Sequence, residues 1–364
     1  MSEFDLIRRY FTRPTPSALL GVGDDAALLQ LGCDKLLAVS SDMLVCGTHF
    51  FSDADPFLLG HKTLAVNLSD LAAMGAVPRW ATLALSLPYG HAIAHDRPLH
   101  PNPDGTTSHS TKPASEQVAG YPPEVEGTNE SRCDVNIILD DAWLEQFSAG
   151  FFALAEMHGV ELVGGDTTRG PLNLCVTIFG EVDAELALRR SGAQAGDEIW
   201  VSGKLGDAAL ALAHLQGRVV LTKDEFAACA PALHQPQPRV ALGLALRGIA
   251  GSAIDISDGL LADLMHILDA SQVGAELALP SVPASAILQK LPDRMLAQRC
   301  LLSGGDDYEL CFTAPASRHN DVLNIGEQLG LPLTCVGKIV AGRAIRDAAG
   351  NPINTENSGY DHFR

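Results

Sequence analysis

Long apolar runs are missing from this sequence. No segment approaches the ~20 consecutive apolar residues that a membrane-spanning helix needs. The opening MSEFDLIRRYF carries acidic residues where a secretory leader would be apolar. The cytoplasm is therefore the expected compartment. Basic residues are scarce as well, 25 Lys and Arg against 44 Asp and Glu, a formal net charge of −19. Such a chain repels nucleic-acid backbones and anionic membrane surfaces, so neither is an expected partner. The eight cysteines form no C-x-x-C pair and have no histidine at zinc-finger spacing, and they read as reduced, mostly core thiols. A Walker-type G-x-x-x-x-G-K-[ST] is absent, as is an H-R-D with D-F-G, which excludes the two commonest ATP sites.

What is present is a globular composition, 46% hydrophobic and 19% charged over 364 residues. That length exceeds what one core usually sustains and predicts two domains. Phe4, Ile7 and Phe11 fall at helical spacing ahead of Pro14. Short apolar runs over 26–31 and 36–41 predict a hairpin-like pair. A helical stripe over 60–74 (Leu64, Leu68, Leu71, Met74) ends at Gly75, with a strand over 80–87 beyond it. From about residue 89 to 139 the sequence is rich in Pro, His, Ser, Thr and Gly without periodicity, which predicts an inserted, disordered surface loop. A helix resumes at Asp140 or Asp141 and closes at Gly159. Strands over 160–163 and 172–182 follow, flanking a turn over 164–170. The domain boundary is placed near 185, giving 1–184 and 185–364. In the second half, strands near 198–202, 253–256, 308–313 and 334–339 alternate with helices starting near Asp207, Arg239 and Gly259, an α/β or α+β pattern.

Aspartates recur at strand ends and turn apices: Asp24, Asp25, Asp42, Asp70, Asp166, Asp255 and Asp258. Mg²⁺ takes carboxylate, hydroxyl, water and phosphate oxygens, with one or two protein carboxylates per ion. An acidic chain can thus bind phosphorylated molecules if divalent ions stand between. Asp255 falls inside an apolar strand, where an uncompensated carboxylate is costly and a metal would compensate it. Asp258-Gly259 opens a helix whose free N–H groups could receive phosphate oxygens. Gly164-Gly165-Asp166-Thr167-Thr168 offers close backbone approach, a carboxylate and two hydroxyls.

On the segments GVGDDAALL (21–29), AVSSDMLVCGTHF (38–50), KTLAVNLSDLAAMGA (62–76), LVGGDTTRGPL (162–172), RRSGAQAGD (189–197), AIDISDGL (253–260), SGGDDYELCF (303–312) and GYDHF (359–363), the chain resembles the thiamine-monophosphate kinase family. That family shares a superfamily with aminoimidazole ribonucleotide synthetase and selenophosphate synthetase. The resemblance implies a two-domain α/β (α+β) synthetase-superfamily fold, with an N-terminal sheet domain that pairs in a homodimer and a C-terminal α/β domain. Between them it implies a cleft for ATP as co-substrate, several Mg²⁺ ions and thiamine monophosphate. It implies a metal set of Asp24, Ser40, Ser41, Asp42, Asp70, Asp166, Asp255 and Asp258, with Asp42, Asp70, Asp166 and Asp255 carrying the catalytic ions. Gly165, Asp166, Arg190 and Ser257 match nucleotide positions; His49, Asp306 and Tyr360 match substrate positions. Asp306 departs from the longer Glu expected there, and the 89–139 insertion departs from the family pattern. The implied reaction is direct in-line transfer to an already ionised phosphate, which requires no strong general base. The rival readings are an ATP-dependent synthetase of the same superfamily and a non-catalytic acidic metal-binding module.

Overall fold

The computed structural model describes residues 3–22, 26–88 and 140–354. The expected insertion, Asp24, Asp25, Cys133 and Tyr360 lie outside them. Helix α1 (Glu3–Leu6) continues as a wider turn over Ile7–Phe11, which buries Tyr10 and Phe11. Strands β1 (Ala18–Leu20) and β2 (Leu28–Leu29) pair only with each other. The hairpin expected over 26–31 and 36–41 is thus not formed. The second run instead belongs to β3 (Lys35–Val45), whose eleven residues all pair antiparallel with β6 (Asn173–Asp183), far away in sequence. With β4 (Val77–Leu87) and β5 (Glu161–Arg169) these make a four-stranded sheet in the order β3-β6-β4-β5. The turn expected over 164–170 is also corrected, because Gly164 to Arg169 continue β5, parallel to β4. Gly165 explains the misreading: a Cβ there would lie 1.9 Å from the Leu83 carbonyl, so glycine marks a close strand approach and not a turn.

Two helices cover one face of this sheet. Helix α2 (Pro56–Ala73) is capped by the Asp55 side chain, which accepts from the Leu58 N–H, and carries Pro56 in its first turn. From Leu59 to Ala73 almost every residue is buried, polar ones included, so this helix is enclosed on all sides. Helix α3 (Asp141–His158) has Asp140 as N-cap, accepting from the Trp143 N–H, and ends at left-handed Gly159. The helices touch through small residues. A Cβ on Gly60 would meet the Phe147 carbonyl at 2.0 Å, and one on Gly150 the Phe57 carbonyl at 1.9 Å.

The second half begins with β7 (Asp197–Ser202), α4 (Asp207–Leu215), α5 (Lys223–His234), α6 (Val240–Ala245), β8 (Ser252–Ile256) and α7 (Leu260–Ser271). It continues through β9 (Gly274–Leu277), α8 (Ala286–Lys290), α9 (Arg294–Ser303), β10 (Glu309–Pro315), α10 (His319–Leu329), β11 (Leu333–Val340) and β12 (Ile345–Asp347). Its six strands order as β12-β9-β11-β7-β10-β8, antiparallel except for β12 beside β9. The fold is mixed α/β with two sheets, and α2 lies at their junction, touching β3 and β6 of one and β8 and β10 of the other. None of the seven described cysteines is in a disulfide; Cys229, Cys300 and Cys311 are buried, Cys46 and Cys335 are half-buried against the core, Cys175 is half-buried and Cys33 is exposed.

The α2–α3 contact yields a sign test. In an isolated helix Gly→Ala stabilises by ~1 kcal/mol. Here Gly60→Ala forces a methyl against a backbone carbonyl, and the expected outcome is a loss of about 3 kcal/mol, read as a lower urea midpoint. A rise in the midpoint would refute the close packing.

Candidate active site

Three carboxylates from three elements meet at the junction: Asp42 on β3, Asp70 on α2 and Asp255 on β8. Alternation along β3 turns Ser40 and Asp42 to the α2 side, where the Ser40 hydroxyl donates to Asp70. The Asp42 N–H donates to Asn67 Oδ1 at 3.2 Å. From the next position on α2, Ser69 Oγ donates to Asp255 Oδ2 at 2.8 Å. Burial and the neighbouring Asp70 push the Asp42 carboxyl up to about 7. Asp255, fully enclosed, is raised well above the ordinary carboxylate range by burial and then by Asp70. Asp70 is raised by burial, against the opposing pull of Ser40, Asp42 and the Arg190 charge. Asp42 and Asp70 form a coupled pair that holds one shared proton more readily than two negative charges.

These groups line one side of a cavity of about 970 Å³. Along α2 its wall is a stripe of Leu58, Lys62, Val66 and Asp70, spaced four residues apart, so Lys62 and Asp70 sit ~12 Å apart along the axis. Toward the start of α2 the wall is mixed: Phe51, Leu58, Ala209, Leu212 and Leu233 supply apolar surface, with Asp55, Gln216 and His234 among the lining residues. Opposite α2 run two back-to-back loops, 255–259 and 304–308, joined by the Asp306 N–H to the Ser257 carbonyl (2.8 Å) and the Tyr308 N–H to the Ile256 carbonyl (2.8 Å).

The expected site residues separate into groups. Asp42, Asp70, Asp255, Ser257, Asp258, His49 and Asp306 all line the cavity. His49 Nδ1 accepts from the Val45 N–H at 2.9 Å, which leaves the proton of a neutral ring on Nε2. Ser41 borders the cavity, but its hydroxyl lies 3.0 Å from Thr177 Oγ1 on the opposite, open face of the sheet. Arg190 is exposed and acts on Asp70 through its charge. Gly165 and Asp166 lie on edge strand β5, where Asp166 is exposed, outside the residues that line the cavity. Asp24 and Tyr360 are outside the described residues. The N–H groups expected to be free at the start of α7 are not free: those of Ser257, Asp258 and Gly259 all donate to Asp263 Oδ2, at 3.1, 3.1 and 3.0 Å. That internal carboxylate, pushed up to about 7 by burial and Asp258, already fills the nest a phosphate would take.

Sequence reasoning missed Lys62, Asn67, Ser69 and Tyr308. A signal existed for the first three: each is a polar residue in a helix otherwise apolar on every side, and such residues are retained with partners. Among the described residues no three His, Cys, Asp or Glu groups converge as ligands around one point. The donor set nonetheless suits Mg²⁺. Crowded hard-oxygen carboxylates with raised proton affinity are what a divalent cation relieves, and Mg²⁺ needs only one or two of them beside waters and phosphate oxygens.

Comparison with known proteins fits this geometry. Residues 23–99 and 130–182 match the family model "AIR synthase related protein, N-terminal domain", and residues 194–348 match "AIR synthase related protein, C-terminal domain". The thiamine-monophosphate kinase of Salmonella typhimurium is 42% identical over 369 residues, covering 99% of this chain and 98% of that protein. The crystal structure of the thiamine-monophosphate kinase from Stenotrophomonas maltophilia is 42% identical with a TM-score of 0.75, covering 96% of both chains. The structure of AaThiL complexed with AMPPCP and TMP is 25% identical with a TM-score of 0.68, covering 98% of this chain and 96% of that one.

The carboxylate crowding sets a pH dependence. A carboxyl whose folded value is raised binds more protons folded than unfolded, so stability falls as pH rises from the ordinary value, about 4, to about 7. Asp42→Asn removes that loss. In metal-free buffer its melting temperature should match the parent at pH 4 and exceed it at pH 7.5; equal melting temperatures at both values would count against the coupled pair.

Proposed function

We infer the activity from a fixed premise, that this chain belongs to the thiamine-monophosphate kinase family: it transfers the γ-phosphoryl group of ATP to the phosphate of thiamine monophosphate, forming thiamine diphosphate and ADP. The observation that carries this reading is the Asp42–Asp70–Asp255 cluster in the wall of a cavity that also offers the apolar side chains Phe51, Leu58, Leu212 and Leu233. The charged groups suit two phosphate groups, and the apolar side chains suit an organic body.

The cluster would hold Mg²⁺ through Asp42, Asp70 and Asp255, with Asp258 at the same mouth; when bound, the ions neutralise phosphate charge and orient the two substrates. The chain's own groups do the rest. Ser40 and Ser69 hold the Asp70 and Asp255 carboxylates and Asn67 holds the Asp42 backbone, so little reorganisation accompanies phosphate entry. Arg190, exposed beside Asp70, is assigned to the nucleotide phosphates, with Ser257. His49 and Asp306 are assigned to the acceptor, and Tyr360, Asp24, Gly165 and Asp166 keep the roles the family resemblance gives them. The acceptor oxygen is ionised at neutral pH, so no side chain needs to remove a proton during transfer.

Two domains dividing near residue 185 and a cytoplasmic location complete the reading, together with a homodimer. The dimer is argued from β3, whose outward side chains Leu37, Val39 and Met43 leave an apolar row exposed on the open face of the first sheet. Among the described residues no helix is long and apolar enough to cross a membrane.

The test is direct. Purified protein with ATP, Mg²⁺ and thiamine monophosphate should form thiamine diphosphate and ADP one to one, and EDTA should stop it. Intact acceptor with ATP turnover would overturn the assignment. Asp42→Asn should lose kcat by on the order of 100-fold or more, and near-normal turnover would remove Asp42 from the metal set. Val39→Arg should shift the sedimentation coefficient from dimer to monomer; an unchanged value would exclude the open face as the interface.

A further inference from the structure

The cavity wall carries six carboxylates and, among the described residues, one lysine and no arginine. That lysine, Lys62, is only 6% exposed at its side chain, pointing from α2 into the wall. Withdrawing an ammonium from water is costly unless it is paired. Its partner is Asp306, with Nζ 3.1 Å from Oδ1. The same carboxylate oxygen accepts from the Tyr308 hydroxyl at 3.0 Å. Asp306 and Tyr308 both hold left-handed backbone (φ 67° and 49°), a conformation unfavourable by ~1 kcal/mol or more for such residues. The loop therefore bends against its own preference to place both side chains beside Lys62. Pairing with Asp306 uses one of three ammonium donors.

Position along the cavity says what the others can meet. Asp70 marks the end with Asp42 and Asp255, and Lys62 stands two turns of α2 away, one turn from Leu58, where the apolar side chains Phe51, Leu212 and Leu233 share the wall with Asp55 and His234. An acceptor that is itself a phosphate ester must lay its organic body against those apolar side chains and its phosphate toward the Asp70 end. The join between those halves falls at Lys62. We propose that Lys62 binds a non-bridging oxygen of the acceptor's own phosphate, and so selects a phosphorylated over an unphosphorylated acceptor. This rests on the reading above. In the transfer, an acceptor phosphate oxygen forms the new P–O bond to the γ-phosphorus while the bond to the β–γ bridging oxygen breaks and ADP departs with that electron pair. Lys62 keeps its proton throughout, so its contribution is charge and position.

The test is binding, measured by calorimetry with Mg²⁺ and a non-hydrolysable ATP analogue present, using thiamine monophosphate and thiamine as the two probes. Lys62→Met should weaken thiamine monophosphate by on the order of 10- to 100-fold and leave thiamine within about 2-fold, the scale of one charge-assisted hydrogen bond. Lys62→Gln, whose amide can still donate to Asp306 but carries no charge, should lose the same discrimination and serves if Lys62→Met fails to fold. Lys62→Arg should retain most of it. Equal loss for both probes, or no loss for thiamine monophosphate, would overturn the proposal in favour of a purely structural ion pair. A parent chain that binds thiamine monophosphate without forming diphosphate would overturn the functional reading and still leave the two-probe comparison to decide Lys62. A parent that binds neither probe overturns both.

Discussion

Like charge held at close range is the constraint on which this structure turns. Asp42, Asp70 and Asp255 come from a strand of one sheet, the central helix and a strand of the other, and burial denies them the water that would screen them. Without a cation, burial and mutual repulsion favour protons on the cluster; with one it becomes a phosphate-binding surface in a chain whose net charge of −19 would otherwise repel two polyanions. The helix that carries Asp70 cannot shift to relieve the crowding. It is buried on every side, locked to α3 by the reciprocal glycine contacts and to the second sheet through Ser69 and Asp255.

The segment from Gly304 to Glu309 shows how one short motif serves both site and scaffold. Asp306 and Tyr308 turn into the cavity. The alternate residues turn the other way: Asp307 accepts from the Gly206 N–H at 2.9 and 3.0 Å, and Glu309 takes the Arg239 guanidinium in a two-pronged ion pair. Gly305 is required just ahead of them, since a Cβ would come within 2.4 Å of the Ser257 carbonyl. The strain at Asp306 and Tyr308 is thus held from both sides, by buried ion pairing behind and by Lys62 in front. Asp263 plays the corresponding part for the facing loop. By filling the nest over Ser257 to Gly259 it sets the direction of Asp258 without any ligand present.

Much of the fold was legible because local chemistry agreed with the global result. Helices α2 and α3 announce themselves by period, cap and terminal glycine, and β8 by an apolar run with Asp255 inside it. The failures came where long-range pairing outweighed local signals. Gly32-Cys33-Asp34 looks like a hairpin turn between two apolar runs, yet β3 finds eleven partners in β6 and β2 keeps only a short pairing with β1. Gly164-Gly165 looks like a turn because glycine permits one, while here it permits contact with Leu83. At the site, carboxylates were conspicuous from their strand-end positions, and the family resemblance supplied their grouping. Lys62 was not conspicuous, since a lysine near the start of a helix usually lies in solvent; only the enclosure of α2 on all sides makes it a wall residue.

The enclosed carboxylates also constrain what can evolve around them. Any substitution that removes one of the three charges relieves repulsion and should favour the metal-free fold, so stability alone would select against the site. The donors that reach these carboxylates are few and single, one hydroxyl to Asp70 and one to Asp255, while Asn67 Oδ1 only accepts from the Asp42 backbone N–H. A fuller set of donors would satisfy the carboxylates permanently, as the three N–H groups satisfy Asp263, and would leave no lone pairs for a cation. Asp263 and Asp255 are both buried acids near the start of α7, and the difference between them is the difference between structure and chemistry. One is saturated by its own loop, and the other is left half-satisfied facing a cavity, which makes it able to bind.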